Sequence, residues 1–488
     1  MKKGEGVYNV VVIGAGTAGL VTAAGTAGLG GRVALIERNL MGGDCLNFGC
    51  VPSKALISSA RLVHRIRESE KWGLDRQSPQ FVFEKVFRRM RARRAKIAPH
   101  DSQERFESLG VDVFHGEACF ISPQEIEVDG QRLRARNFVI ATGSRAVIPK
   151  IEGIEDVPYF TNETIFDELK HKPESMIVLG GGPIGCELGQ ALSRLGVKVT
   201  IVEYVPQLLA PEDVDVGQFM QERFEAEGIR VQHCTQATRL SLHDGAIALE
   251  GIYKPPGAEQ GSPVQFTGSA LLVATGRCPM FKALNLDAAG VKYTANGVEV
   301  NDYLQTSQPH IYAAGDIANR LKFTHTADYT ARVVIRNILM PFQFLREKVD
   351  WSVVPWCTYT DPEVAHVGIS EKEAKQRNIN HDLFVVPLED VDRAVVESEE
   401  SGFAKILTAK GSDKILGATI VAPHAGDLLH EFVLAMKAGI GLGKIASTIH
   451  AYPTFAELAR KAADKYNRTR LTPRAKKFFT WLYARARR

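Results

Sequence analysis

The sequence predicts an α/β protein with two Rossmann-like domains followed by an α+β C-terminal domain, on three observations. An apolar run leads directly into Gly14-x-Gly16-x-x-Gly19. The same arrangement returns at Gly180-x-Gly182-x-x-Gly185. Two further apolar runs each end in Ala-Thr-Gly, at Gly143 and at Gly276. A glycine triplet alone is weak. With a strand before it, a helix after it, a second strand and an acid at that strand's end, it is the dinucleotide fingerprint.

Val10–Ile13 is an uninterrupted apolar run, suited to a parallel strand covered on both faces. Gly14 serves the tight turn, Gly16 lets backbone approach a pyrophosphate, and Gly19 lets the next helix pack closely. That helix runs to about Leu29 and Gly30-Gly31 break it. Arg32 to Ile36 makes the second strand, and Glu37 ends it, placed for ribose hydroxyls. Tyr8 to Gly31 carries no charge and follows Met1-Lys2-Lys3, a profile shared with signal peptides and membrane spans; its seven glycines favour a buried strand and helix.

The second module reads Met176–Leu179, the glycines 180, 182 and 185, Val197–Val202, then Glu203. Each acid lies 23 residues past its first glycine, and matched positions differ by 166. Phe138–Gly143 and Leu271–Gly276 fit the return strands of the two domains, where the last glycine lets the chain turn beside a cofactor.

Between the first module and its return strand lies Gly43-Asp44-Cys45-Leu46-Asn47-Phe48-Gly49-Cys50-Val51-Pro52-Ser53-Lys54. Pro52 suits a first helical turn. From Ala55, Leu56, Ile57, Ala60, Val63 and Ile66 recur at helical spacing. Cys50 therefore sits at a helix N-terminus, whose free N–H groups favour a thiolate. A zinc half-site would need a second close Cys or His pair, and none follows, so the pair reads as redox-active and no metal site is expected.

At 488 residues the chain suggests about three domains. A net charge of +4 gives no ground for a nucleic-acid partner. Seven cysteines, mostly isolated, fit a reducing cytoplasm with one special pair.

The stretches GGDCLNFGCVPSK, ATGS, GGGPIGCELG, ATGR and IYAAGD occur in an order that resembles the class I pyridine nucleotide-disulfide oxidoreductases. These flavoprotein disulfide reductases include dihydrolipoamide dehydrogenase, glutathione reductase and mercuric reductase. The resemblance implies FAD on Gly14, Gly16, Gly19 and Glu37, with Gly43, Lys54, Thr142, Gly143 and Ser144, with Asp316 on the ribitol chain and the following residues to His325 along the flavin. It implies a nicotinamide nucleotide on Gly180, Gly182, Gly185, Glu203 and Gly276. Cys50 would face the flavin, Cys45 would meet the substrate, and Lys54 would pair with Glu187. The implied domains are 1–160 for the first part of the FAD domain, 161–280 for NAD, 281–350 for a central segment completing the flavin site, and 351–488 for a dimerisation domain. Such a homodimer would place Tyr452 and Glu457 against the partner's cysteine pair. Glu203 favours NADH over NADPH, because a carboxylate repels a 2'-phosphate and Tyr204, Val205, Pro206 and Gln207 offer no cation.

Three departures bear on the reaction. The family's His-Pro-Thr-x-x-Glu reads here Tyr452-Pro453-Thr454-Phe455-Ala456-Glu457. Tyrosine, with a pKa of about 10, is a poor base where histidine, at about 6.5, would trade protons. His450 shares a face with Tyr452 in an extended segment and is the candidate replacement. A tyrosine here resembles mercuric reductase, with Cys45 and Cys50 as soft thiolates for Hg(II); that group also carries a C-terminal cysteine pair, and this sequence has no cysteine after Cys357. Pro183 stands where several relatives have an aromatic residue over the nicotinamide pocket.

After the interface motif the sequence is basic, with Phe478, Phe479, Trp481, Leu482 and Tyr483 between cations. Such a helix fits weak contact with an anionic membrane, or packing on the dimer with its charges in water; the sequence favours the second. The expected function is electron transfer from NADH, through FAD and a Cys45–Cys50 disulfide, to a disulfide or other thiol-reactive acceptor. The alternatives are Hg(II) reduction and a non-catalytic, redox-sensing or membrane-associated flavoprotein.

Overall fold

Apolar alternation in the first strand assigns its two faces to two separate cores. Val7–Ile13 buries Val11 and Ile13 with Phe138 and Ile140, and buries Val10 and Val12 with Ala18, Leu20 and Tyr312. In this computed structural model, which describes residues 3–318, 321–340 and 342–487, that strand lies inside a seven-stranded sheet. It pairs parallel with Val33–Glu37 on one side and with Gln131–Ile140 on the other. Val111–His115 and Ile311–Ala313 extend the parallel run beyond these two. The uncharged stretch from Tyr8 is thus strand, glycine turn and the helix Thr17–Gly28. Among the described residues no helix is long and apolar enough to cross a membrane.

The second module repeats the plan. Arg230–Gln232, Lys198–Val202, Ser175–Leu179 and Ala270–Val273 form a four-stranded parallel sheet in that order, and the helix Pro183–Arg194 follows the glycines. Both Rossmann-like domains lie in one compact unit, Met1–Leu62 with Gln80–Pro206 and Glu225–Asp350.

The other unit is Val63–Pro79, Gln207–Phe224 and Trp351–Arg488. Its five antiparallel strands run in the order Pro355–Thr358, Glu363–Gly368, Ile415–Ala422, Phe403–Ala409, His381–Pro387. One face buries Ala404 and Ile406 against the helices His430–Lys437 and Glu457–Thr469. Lys405, pointing the other way by strand alternation, is 2% exposed and pairs with Asp213 at 2.9 Å, Asp215 at 2.8 Å and Glu371 at 2.9 Å. Asp213 and Asp215 tie residues 207–224 to this unit, a grouping the linear domain plan did not contain.

Candidate active site

The two glycine cradles are built from the same parts. Gly14 and Gly180 have φ of +102° and +112°, and a Cβ on either would collide with the carbonyl oxygen of Ala141 or Ala274, the alanines of the two Ala-Thr-Gly runs. A Cβ on Gly19 or Gly185 would strike the carbonyl oxygen of Gly14 or Gly180. The middle glycines differ in kind. At Gly16 the nearest atom to a Cβ is Gly43 Cα at 3.9 Å, and at Gly182 nothing lies within 4 Å. That space in front of a helix N-terminus is what a pyrophosphate requires, so both cradles fit a dinucleotide. Gly43, at φ +56°, packs its backbone on Gly16, where a Cβ would collide.

Glu37 accepts from Ala15 N at 2.6 Å and Asn39 N at 2.8 Å. Glu203 accepts from Gly181 N at 2.5 Å and Val205 N at 2.9 Å, the same positions shifted by 166. Each acid therefore fixes the shape of its own glycine turn, whatever else it binds.

Beside the first cradle, Thr142 Oγ1 donates to Met280 O at 2.5 Å, and Gly143 turns at φ +68°. Ser144 Oγ donates to Asp316 Oδ2 at 2.6 Å. Burial raises the Asp316 pKa, opposed by that hydrogen bond and by the Arg277 charge. Arg277, just after Gly276 (φ +128°), donates to Ser144 Oγ at 2.9 Å and pairs with Asp44 at 3.1 Å. Sequence reasoning missed Arg277 and Asp44, although one follows an Ala-Thr-Gly run and the other precedes Cys45. In the stretch after Asp316, Asn319 and Arg320 lie outside the described residues, and His325 stacks on Phe323 with ring centroids 5.2 Å apart.

Cys50 is the first residue of the helix Cys50–Arg67, and Cys45 lies on the short helix Gly43–Asn47. The seven cysteines are free thiols. A hydrogen bond from Cys45, helped by Thr324 and the Lys54 charge, outweighs burial and brings the Cys50 pKa down to about 6. The Cys45 pKa rises, through that same bond and burial. Thr324 Oγ1 lies 3.3 Å from Cys50 Sγ, a contact no sequence signal announced. One turn along, Lys54 Nζ donates to Glu187 Oε2 at 2.8 Å, and the Glu187 side chain is 7% exposed.

A pH prediction follows. A depressed thiol pKa puts the nucleophile above about pH 6. Alkylation of Cys50 by iodoacetamide in the dithiol form is expected to fall off below that inflection. Lys54→Met, which removes a stabilising charge, is expected to move the inflection upward.

In the second unit, Tyr452 is 69% exposed and its hydroxyl donates to Asp392 Oδ2 at 3.0 Å, a bond that raises its pKa and keeps the phenol protonated. The His450 side chain is 6% exposed, with Nδ1 facing Thr448 O and Nε2 facing Glu431 Oε1, each at 3.0 Å. Glu457 is buried, accepts from Arg460 at 2.8 Å through Oε1, and has no hydrogen-bond partner for Oε2 among the described residues. Val396, Leu434 and Ile449 are exposed on the same unit.

Residues 8–331 match the family described as pyridine nucleotide-disulphide oxidoreductase, and residues 354–463 match its dimerisation domain. The chain is similar to the mercuric reductase of Lysinibacillus sphaericus, 33% identical over 465 residues, which cover 95% of this chain and 83% of that protein. It is similar to the dihydrolipoyl dehydrogenase of Thermus scotoductus, 34% identical over 468 residues, covering 94% and 97%. Among solved structures, the Cu(II) complex of the HOCl-induced flavoprotein disulfide reductase RclA from Escherichia coli is 25% identical with a TM-score of 0.83, covering 94% of this chain and 99% of that one.

Proposed function

Since the chain belongs to the pyridine nucleotide-disulphide oxidoreductases, FAD enzymes that draw electrons from NAD(P)H, we propose that it reduces an external disulfide at the expense of NADH through Cys45 and Cys50. The observation that carries this reading is the cysteine pair five positions apart with Cys50 opening a helix, its sulfur 3.3 Å from Thr324 Oγ1 and one turn from the Lys54–Glu187 ion pair.

In this reading Gly14, Gly16, Gly19, Glu37, Gly43, Lys54, Thr142, Gly143, Ser144, Asp316 and His325 hold FAD, and Gly180, Gly182, Gly185, Glu203 and Gly276 hold the nicotinamide nucleotide. When bound, these cofactors supply the two electrons that open the Cys45–Cys50 disulfide. Cys45 then bonds to one sulfur of the acceptor as its proton crosses to Cys50, and the departing thiolate takes a proton from solvent. Cys50 returns its proton to solvent. As a thiolate it displaces the second sulfur from Cys45, and the disulfide closes. Thr324 and Lys54 stabilise Cys50 as the thiolate, and Glu187 holds Lys54 in place. The homodimer brings Tyr452 to the cysteines across the interface. With its only proton committed to Asp392, the phenol oxygen can accept a hydrogen bond from a thiol but makes a poor general base.

The test is turnover of purified dimer with NADH and a panel of lipoamide, glutathione disulfide, small disulfides, quinones and Hg(II) with excess thiol. Disulfide turnover that disappears in Cys45→Ser is expected. NADH consumption at the wild-type rate in that variant would remove the cysteines from the route. Tyr452 at the position of the family histidine favours a second reading, Hg(II) reduction, and turnover on Hg(II) alone would select it.

Glu203 gives a further expectation. Its carboxylate would meet a 2'-phosphate as a like charge, so kcat/KM for NADH should exceed that for NADPH by at least about tenfold. An equal or reversed ratio, measured by initial rates, would contradict this placement.

A further inference from the structure

The helix Pro473–Ala486 buries none of its residues. It is well formed: Thr472 caps it by accepting from Ala475 N at 3.2 Å, and Pro473 occupies its first turn. At 3.6 residues per turn, Phe478, Phe479, Trp481, Leu482 and Tyr483 occupy one side together with Ala475 and Ala486. Lys477 and Arg487 lie on the other side, Lys476 borders the arc beside Tyr483, and Arg474 and Arg485 lie between Trp481 and Phe478, where their long stems can carry the charge out to the headgroups. Phe478 stacks on Trp481 with centroids 6.1 Å apart, and Arg485 lies over the Trp481 ring at 5.8 Å. Phe478, Trp481 and Tyr483 are 55%, 54% and 70% exposed. No acid occurs after Asp464.

We propose that this helix lies in the surface of an anionic lipid bilayer, its aromatic arc among the acyl chains and its cations on the headgroups. Aromatic side chains are favoured at that boundary, and the polar face of an interfacial helix is rich in Lys and Arg. Charge complementarity selects the occupant. A symmetric contact with the same helix of a second copy would set cations against cations. A duplex nucleic acid would use the cations and leave the aromatic arc in water. One such helix anchors weakly, and the homodimer of the proposed function carries two.

The test uses the full-length, FAD-loaded dimer and sedimentation with phosphatidylcholine vesicles, with and without about 30 mol% phosphatidylserine. Binding to the anionic vesicles only is expected, with a blue shift in the Trp481 emission (total minus Trp481→Phe) and release as salt rises toward about 1 M. Each cation near an anionic surface is worth about fivefold in partitioning, so Lys476→Ala with Lys477→Ala, which removes four cations from the dimer, should weaken binding by roughly 600-fold. Phe478→Ser with Trp481→Ser should abolish it, and in both variants NADH oxidation should be unchanged. Three results would overturn the proposal. These are anionic-vesicle binding that survives both double variants, tighter binding to a duplex DNA at the same salt, and absence of vesicle binding with dimer dissociation in the aromatic variant, which would assign the helix to the second copy.

Discussion

Cys50→Ser is expected to lower NADH-dependent disulfide reduction by roughly 10⁴-fold or more, the scale seen when a nucleophile acting as part of a unit is removed. The serine hydroxyl does not ionise near neutral pH, so the thiolate that Cys45, Thr324 and Lys54 stabilise has no substitute. Cys45→Ser is expected to lose turnover to the same degree for a different reason. It keeps a thiolate on Cys50 but has no sulfur to form the mixed disulfide with the acceptor. The two variants are separable by alkylation. Cys45→Ser should retain a reactive thiol on Cys50, because the hydroxyl still donates to its sulfur and Thr324 and Lys54 remain beside it. Cys50→Ser should leave Cys45 slow to react, since burial holds that thiol's pKa up. Flavin content should match wild type in both, because neither side chain forms the cradle. Turnover within tenfold of wild type in either variant would show that electrons leave by another route.

The parts of this site that were legible in the sequence are those whose reason is local. Gly14, Gly19, Gly180 and Gly185 sit where a Cβ would meet a carbonyl a few residues away or on the paired return strand, and that demand leaves a fixed spacing. Cys50 at a helix N-terminus was legible because Pro52 and the apolar spacing mark the helix start. Thr324, 274 residues from Cys50, is brought to its sulfur only by folding of the whole unit, and nothing in its own neighbourhood announces it. Arg277 and Asp44 meet for the same reason. Lys405 shows the limit most directly. In FAKILTA it alternates with apolar residues and reads as the solvent face of a half-buried strand. That face is covered from far along the sequence, by Asp213 and Asp215 on Lys405 and Phe219 on Phe403, with Glu371 completing the cluster.

That covered lysine sets the second large expectation, that Lys405→Met destabilises the protein by about 3–5 kcal/mol, or roughly 10 °C in Tm for a unit of this size. Methionine matches the stem of lysine in volume, so the loss comes from charge. Asp213, 4% exposed, would be left without its cation, whereas Asp215 at 53% can turn to water and contributes little. Burial by itself would raise the Asp213 pKa. Hydrogen bonds from Lys372 N and Lys405, with the Lys405 charge, hold it low instead. Glu371 is lowered by Lys375 first and then by Lys405. Groups depressed in the fold stabilise it above their unfolded pKa of about 4, and that contribution is lost as pH falls through the folded values. Lys405 is raised, so its contribution holds below about pH 10.4 and is lost only as pH climbs past that point. Glu212 runs in the opposite sense. Burial pushes it up to about 7 despite the hydrogen bond from Trp356 Nε1 at 2.6 Å, so its contribution fades as pH rises from about 4.3 toward 7. The deficit of Lys405→Met should therefore be largest near neutral pH and begin to shrink above about pH 4, because burial without the Lys405 charge raises the stranded Asp213 and protonates it early. Adding Asp213→Asn to Lys405→Met should recover part of the loss, because a buried amide costs less than a buried lone charge. Thermal unfolding across pH for the single and double variants decides it. A deficit independent of pH would mean that lost packing, and not an unpaired carboxylate, is what the fold feels at this position.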